Sequence, residues 1–305
     1  MTASLGKELG KEEIRLNFKK ITLDDVKILK PYLQAQYRSC DFSVLGVFMW
    51  ADRFGYEYAI ENETLFMREK SRFEGAEYDY LLPLGESSLT ENIKCLRALT
   101  PEPLTLSLVP EGALDELRQS FSFDAVEEPD IADYMYNAED LAFLAGKKYS
   151  KKRNLIHQFE KLYPDYRLIP ITAENSKCIA ECCRHGWSDT PESELAAYEN
   201  EHTREVLEDF AAYGCTGYEL RCGDDVAAFC IGEVRGDTLI VHIEKAMREY
   251  KGAFQMINML FSRTELESCG IKYINREDDV GDEGLRQAKQ SYFPAYMLRK
   301  YRLTL

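Results

Sequence analysis

The chain repeats its own order of elements, and a repeat of this kind confines it to two related units packed together. Ile21-Thr-Leu-Asp-Asp-Val-Lys-Ile-Leu reads as a strand end, a cap and a helix, with Thr22 as N-cap and Val26, Leu29 and Leu33 at helical spacing. Ile171-Thr-Ala-Glu-Asn-Ser-Lys-Cys-Ile repeats that arrangement. Tyr56-Glu-Tyr-Ala-Ile turns at Glu61-Asn-Glu into Thr64-Leu-Phe-Met, and Gly217-Tyr-Glu-Leu-Arg turns at Cys222-Gly-Asp-Asp into Val226-Ala-Ala-Phe-Cys-Ile. Gly and Asn supply the backbone freedom these turns require. A strand and helix follow in each half: Tyr78 to Leu84 before Leu89 to Leu99, and Thr238 to Ile243 before Ala253 to Ser268. Leu104-Thr-Leu-Ser-Leu then precedes a helix with Leu117-Arg-Gln, as Ile271-Lys-Tyr-Ile precedes one with Leu285-Arg-Gln.

Each half therefore reads helix, hairpin, strand, helix, strand, helix, strand, which is an α+β pattern with helices on the faces of a sheet. The segment Gly146 to Arg153 joins the halves, giving expected domains at 1–146 and 147–305 with almost no linker.

Composition narrows the partners. Lys plus Arg is 38 against 53 Asp plus Glu in 305 residues, a net charge of −15, which argues against a dedicated duplex-DNA binder. The most apolar window, Val44 to Ala51, is far short of the roughly 20 residues needed to span a bilayer. The first residues carry charges where a signal peptide requires an apolar stretch. Nine cysteines without regular spacing fit reduced thiols. A cytoplasmic protein with no membrane span is expected.

Four stretches carry a family resemblance: Cys40-Asp-Phe-Ser-Val-Leu-Gly-Val-Phe-Met-Trp; Lys148-Tyr-Ser-Lys-Lys-Arg-Asn-Leu-Ile-His-Gln-Phe; Glu249-Tyr-Lys-Gly-Ala-Phe-Gln-Met-Ile-Asn; and Ile274-Asn-Arg-Glu-Asp-Asp-Val-Gly-Asp-Glu-Gly-Leu-Arg-Gln-Ala-Lys-Gln-Ser-Tyr-Phe-Pro. With the duplicated order of elements, the chain resembles the GNAT (N-acetyltransferase-like) fold. More narrowly, it is similar to an uncharacterised bacterial family grouped with the C-terminal domain of phosphatidylglycerol lysyltransferases. The resemblance implies two tandem GNAT-like domains, each a mixed, mostly antiparallel sheet flanked by helices. It also implies transfer of an acyl or aminoacyl group, from acyl-CoA or aminoacyl-tRNA, to an amine or hydroxyl acceptor.

The same resemblance directs attention to particular residues. GNAT enzymes hold coenzyme A pyrophosphate on backbone N–H groups of a turn opening a helix, a consequence of the free donors and dipole at a helix N-terminus. Arg248-Glu-Tyr-Lys-Gly-Ala is the matching turn, so Arg248, Lys251, Gly252 and Ala253 are cofactor-binding candidates, although Lys251 stands where the first glycine belongs. A carboxylate at the end of the preceding strand serves as general base in many GNAT enzymes, and Glu244 has that place. His242 lies on the same strand face and reads as a core histidine. A tyrosine near the last helix often protonates the leaving group; Tyr292 matches by position.

Other candidates come from the residues themselves. Asn275 and Glu277 follow a strand end, where α/β sheets line their ligand crevice, with Arg276 on the opposite side by alternation. Lys147 to Arg153 holds five basic residues in seven at the start of a helix, so Lys147, Lys148, Lys152 and Arg153 are expected to hold phosphate. Cys178, Cys182, Cys183 and His185 fall within one helix, whereas closed zinc sites join separated segments, so no metal is expected. The first half lacks the basic residues in its equivalent turn, Pro83 to Ser88, and reads as a degenerate supporting copy.

Two functional classes follow. The leading one is a cytosolic acyl- or aminoacyltransferase acting on a small-molecule or peptide amine, with tRNA as a partner if the donor is aminoacylated. The other is a non-catalytic, GNAT-derived binding module for an acyl carrier or small anion.

Overall fold

A computed structural model describes residues 16–33, 37–100, 103–186 and 194–305. Two sheets form, each with helices against it. The first runs in spatial order Lys19–Lys20, Glu57–Glu61, Thr64–Lys70, Tyr78–Tyr80, Thr105–Pro110, Lys300–Thr304, Asp124–Glu127, with Leu84–Gly85 paired to Thr64–Lys70. The second runs Tyr296–Leu298, Asp133–Asn137, Tyr273–Asn275, Thr238–Ala246, Asp225–Arg235, Thr216–Cys222, Arg167–Pro170. The α+β expectation and the tandem arrangement hold.

The duplication shows in the pairing. Among the described strands each sheet has one parallel contact, Tyr78–Tyr80 with Thr105–Pro110 and Thr238–Ala246 with Tyr273–Asn275. Each joins the strand before a long helix to the strand after it, as a right-handed crossover requires. The crossover helices are Leu89–Leu99 and Ala253–Cys269. Ser88 caps the first by accepting from Glu91 N–H at 3.2 Å. Gly252 precedes the second in the left-handed region at φ 91°.

The halves exchange strands. Asp133–Asn137, from before residue 146, pairs in the second sheet with Tyr273–Asn275 and Tyr296–Leu298. The C-terminal strand Lys300–Thr304 lies in the first sheet between Thr105–Pro110 and Asp124–Glu127. Sheet membership therefore does not change at 146/147. The exchange is pinned in the interior: the Lys300 ammonium, fully buried, lies 2.7 Å from Asp133 Oδ1 and 2.6 Å from Asp41 Oδ2.

Two apolar cores result. One gathers Leu29, Leu33, Leu45, Leu65, Leu106 and Leu303; the other Tyr136, Tyr149, Phe159, Met256, Ile257 and Phe261. Burying each such side chain contributes about 1.5–3 kcal/mol. The second core fixes helix Ala253–Cys269 beneath the strands that carry the candidate site.

Candidate functional site

The site starts where a parallel pair ends. Thr238–Ala246 and Tyr273–Asn275 are in register only over Thr238↔Tyr273, Leu239↔Ile274 and Ile240↔Asn275. Beyond that point the second strand stays with Asp133–Asn137 alone: Arg276 N–H donates to Tyr134 O at 3.0 Å, and Tyr134 N–H donates to Glu277 O at 3.0 Å. The two parallel strands diverge and leave a wedge.

Side chains bridge the wedge as two rungs. His242 Nδ1 lies 2.7 Å from Glu277 Oε1, and Arg276 Nη2 donates to Glu244 Oε2 at 2.7 Å. Alternation along Thr238–Ala246 places His242 and Glu244 on one face, and consecutive residues of the opposite strand meet them. Glu277 can do so because its backbone is left-handed, at φ 56°. That is a strained conformation for a residue with a Cβ. Three contacts hold it: its N–H donates to Asn275 Oδ1 at 2.7 Å, its carbonyl accepts from Tyr134, and its carboxylate meets His242.

The rung at Glu244 is incompletely satisfied. Glu244 Oε1, Asn258 Oδ1, Arg276 Nη1 and the Tyr292 hydroxyl are all buried and without a hydrogen-bond partner. They belong together: Asn258 Nδ2 lies 3.4 Å from Glu244 Oε2, and the Arg276 guanidinium lies 4.9 Å from the Tyr292 ring centre. Gln255 is beside the Tyr292 hydroxyl without completing a bond to it. Buried polar atoms are normally paired with protein or water, so this cluster is a polar space with bonding capacity left over. Burial holds the Tyr292 hydroxyl well above the usual tyrosine range, so it keeps its proton.

Lys152 borders this group. Its ammonium donates to Ser291 Oγ at 2.7 Å and lies 3.9 Å from the Tyr292 ring centre. Partial burial and the Arg276 charge lower it to about 8. The other basic residues of the junction go elsewhere. Lys148 is 3.6 Å from Asp140, Lys147 is exposed, and Arg153 donates to the carbonyls of Leu144 and Gly146. The junction is not one anion cradle: Lys152 faces the wedge and Arg153 ties down the preceding turn.

Asn275 also faces away from Glu244. Its amide donates to Asp133 Oδ2 and to Arg38 O, each at 2.8 Å, joining the wedge to the Lys300 cluster.

The turn Arg248–Ala253 is not arranged as a phosphate cradle. Three of its N–H groups are already used: Tyr250 to Met247 O, Lys251 to Glu249 O and Ala253 to Tyr250 O. Gly252 is required by packing, since a Cβ there would lie 2.3 Å from Leu155 O. Asp225 accepts from the Tyr250 hydroxyl at 2.7 Å. Three of the turn's N–H groups thus bond within it, and its charged side chains are of both signs, Arg248 and Lys251 beside Glu249 and Asp225.

Cys178 and Cys182 are free thiols; Cys183 and His185 lie outside the residues whose side chains are described. Among the described residues one group, Cys40, Asp133 and Asp278, brings possible metal-ligating atoms within 4.8 Å of one another. Lys300 Nζ is 2.7 Å from Asp133 Oδ1, 3.5 Å from Cys40 Sγ and 3.9 Å from Asp278 Oδ2, so that group already surrounds a cation.

Of the residues around the wedge, the sequence singles out Glu244, Tyr292 and Glu277 but not Arg276 and Asn258. Arg276 was visible as the single basic residue of Asn275 to Gly284, whereas Asn258 is one polar side chain in a long apolar helix with nothing to mark it.

Comparison with known proteins shows the family and the fold. The family described as phosphatidylglycerol lysyltransferase, C-terminal, is matched over residues 34–304. A conserved protein of unknown function from Bacteroides thetaiotaomicron has a similar structure, with TM-score 0.81 and 30% identity, covering 95% of this chain and 99% of that one. The C-terminal domain of a lysylphosphatidylglycerol synthetase from Agrobacterium fabrum follows at TM-score 0.65 and 13% identity, with 92% and 91% covered. L-PGS from Bacillus licheniformis gives 0.62 and 12%, with 91% of both chains covered. An uncharacterised protein of Mycoplasmoides gallisepticum is 22% identical over 193 residues, and the match spans 60% of that relative's length and 62% of this chain. Among the described residues no helix is long and apolar enough to cross a membrane.

Proposed function

The chain belongs to the family of phosphatidylglycerol lysyltransferase C-terminal domains, and from that premise we propose that it transfers an aminoacyl group from an ester donor, aminoacyl-tRNA, to an amine or hydroxyl acceptor. The observation that carries this reading is the set of buried, unpartnered atoms around the wedge: Glu244 Oε1, Asn258 Oδ1, Arg276 Nη1 and Tyr292 Oη. Two are acceptors suited to an N–H, one is a cationic donor suited to a carbonyl oxygen, and one is a hydroxyl that can give a proton.

The acceptor's nitrogen or oxygen attacks the ester carbonyl while its proton passes to Glu244 Oε1. Arg276 Nη1 faces the oxygen that gains charge, in a dry site where such a contact is worth most. As the tetrahedral intermediate collapses, the leaving ribose oxygen takes a proton from Tyr292. Lys152, which borders Tyr292, would meet a donor phosphate, with Lys147 and Lys148 further out along the same junction. An ester donor is favoured over acyl-CoA by the spent donors of the Arg248–Ala253 turn. Cytoplasmic location is part of this proposal.

One observation favours the non-catalytic module: the Glu244–Arg276 and His242–Glu277 rungs already fill the mouth of the wedge. Thermal unfolding with aminoacylated tRNA, uncharged tRNA, acetyl-coenzyme A and coenzyme A separates the readings. A ligand at a hundred times its Kd adds about 2.7 kcal/mol, or roughly 2–4 °C in Tm for a chain of this size. The transfer reading expects that shift with aminoacylated tRNA and a loss of transfer in Glu244→Gln. A shift with acetyl-coenzyme A alone, or transfer that survives Glu244→Gln, would overturn it.

A further inference from the structure

The role of the first half is not explained by its own chemistry, since its equivalent turn carries no basic side chains. The interior gives it one. His242 stands between two carboxylates: Glu277 Oε1 is hydrogen-bonded to Nδ1 at 2.7 Å, and Glu233 Oε1 lies 3.2 Å from Nε2 as an ion pair outside hydrogen-bonding geometry. Its side chain is 1% exposed. Glu233 lies on the neighbouring strand Asp225–Arg235, opposite Ile240. Its carboxylate accepts from Arg235 Nη2 at 2.6 Å. It also accepts from two backbone N–H groups of the first half, Val44 at 3.1 Å and Leu45 at 2.5 Å. Those N–H groups open the helix Val44–Phe48, and free donors at a helix start favour a carboxylate. A continuous chain of contacts thus runs from the first half through Glu233 and His242 to Glu277.

We propose that His242 is a positioning residue: anchored through Glu233 to the start of helix Val44–Phe48, it fixes the strained Glu277 carboxylate at the wedge. The first half thereby holds the second half's site in register, and the residue that reads as an ordinary core histidine links the two. Glu277 supplies the reason a link is required. Its left-handed backbone is a state that persists only where surrounding contacts impose it, and among the described residues the His242 contact is the hydrogen bond made by its side chain. Loss of His242 frees the carboxylate and the segment Asn275–Asp279 relaxes. The inference rests on the transfer reading only for its effect on rate, because the linkage itself can be measured without any substrate.

The charged groups facing this chain are few. Glu233 and Arg235 come from the neighbouring strand, Glu277 from the diverging strand, and Lys289 from helix Glu283–Gln290 near Glu277. The two carboxylates hold the buried imidazole charged, with its proton retained up to about 9.

The test uses the full chain with isotope-labelled histidine, which gives four ring signals for the four histidines of the sequence. His242→Gln identifies its signal by removal. In the wild type that signal should stay charged through pH 8. Glu277→Gln and Glu233→Gln should each bring its midpoint down by one pH unit or more. A His242 midpoint near that of a free imidazole, or one that neither variant moves, would overturn the linkage. Where either Gln variant fails to fold, Glu277→Asp and Arg235→Lys supply the same perturbation more gently. With aminoacylated tRNA as donor, His242→Gln should lower kcat on the order of tenfold to a hundredfold, as a misplaced group does, with the donor's KM little changed. An unchanged kcat and pH profile would reduce His242 to a structural part. A linkage seen in the titration together with a wild type inactive toward every donor would instead sink the transfer reading and leave the linkage standing.

Discussion

Arg276 Nη2 lies 2.7 Å from Glu244 Oε2 across the gap where two parallel strands stop pairing, and both side chains are under 10% exposed. A buried ion pair of this kind is weak evidence for stability, because desolvating both charges offsets most of their attraction. Here the geometry is also incomplete, with one oxygen and one guanidinium nitrogen left unbonded. Packing that served stability alone would have closed those bonds or replaced the pair with apolar side chains. The pair is better understood as a polar surface held ready inside the fold.

That view makes a prediction about single and double variants. Glu244→Ala leaves Arg276 buried without its partner and should cost about 3–5 kcal/mol in urea unfolding. Glu244→Leu combined with Arg276→Met should recover most of that loss while abolishing transfer. A double variant as unstable as the single one would mean that the wedge depends on the charges for its shape.

Much of this architecture is legible in the sequence, and the limits have physical causes. Thr22 was expected to cap a helix, and its N–H and hydroxyl both donate to Asp25 Oδ2, at 2.9 and 2.8 Å. The helix expected over Leu89 to Leu99 forms over those residues. Such features depend on neighbours within a few positions. The exchange of Asp133–Asn137 and Lys300–Thr304 between sheets does not. It depends on pairings such as Ile274 with Tyr136 and Tyr301 with Val109, more than a hundred residues apart, which no local pattern encodes. The site divides in the same way. Glu244 and Tyr292 are singled out by the family resemblance, which points to a strand end and to the end of the last helix. The Glu233–His242–Glu277 chain depends on a left-handed residue and on a helix start in the other half.

Arg153 and Lys152 should separate cleanly. Arg153 donates to the Leu144 and Gly146 carbonyls, so Arg153→Ala should cost roughly 1–3 kcal/mol by leaving those acceptors unmet. Lys152→Ala removes one hydrogen bond, to Ser291, and should cost less, about 0.5–1.5 kcal/mol. It should weaken donor binding as well. Chemical denaturation and donor titration on the two variants check both statements. Equal effects of the two on donor affinity would restore the view of the junction as one anion site.

Glu69 gives a pH signature in the first half. Burial raises its carboxyl to about 7, and its Oε1 has no hydrogen-bond partner. A carboxyl with a raised pKa is protonated more readily in the folded state. Stability is therefore undiminished below the unfolded value near 4.5 and falls as pH rises toward 7. Glu69→Gln removes that fall. It should stabilise the protein at pH 8 by on the order of 3 kcal/mol and make little difference at pH 4. Urea midpoints at the two pH values measure this. A variant less stable than the wild type at pH 8 would show that Glu69 is ionised and paired.

The Lys300 cluster allows a stricter test, because its ammonium sits among side chains that could ligate a metal ion. Asp133, Asp41, Cys40 and Asp278 all face Lys300, which is itself fully buried. Lys300→Ala removes the cation and leaves the carboxylates opposed, which should cost about 3–5 kcal/mol. The ligating atoms of Cys40, Asp133 and Asp278 remain within 4.8 Å of one another, a separation that suits a divalent cation. Zn²⁺ should therefore bind the variant and raise its Tm, by linkage between binding and folding, while the wild type stays unresponsive. The effect should be larger at pH 8 than at pH 6, since burial raises both the Asp278 carboxyl and the Cys40 thiol, loss of the Lys300 charge raises them further, and both must lose a proton to coordinate. A Tm in the variant that does not move with Zn²⁺ would mean the pocket relaxes once the ammonium is gone, and that Lys300 shapes the cluster rather than merely filling it.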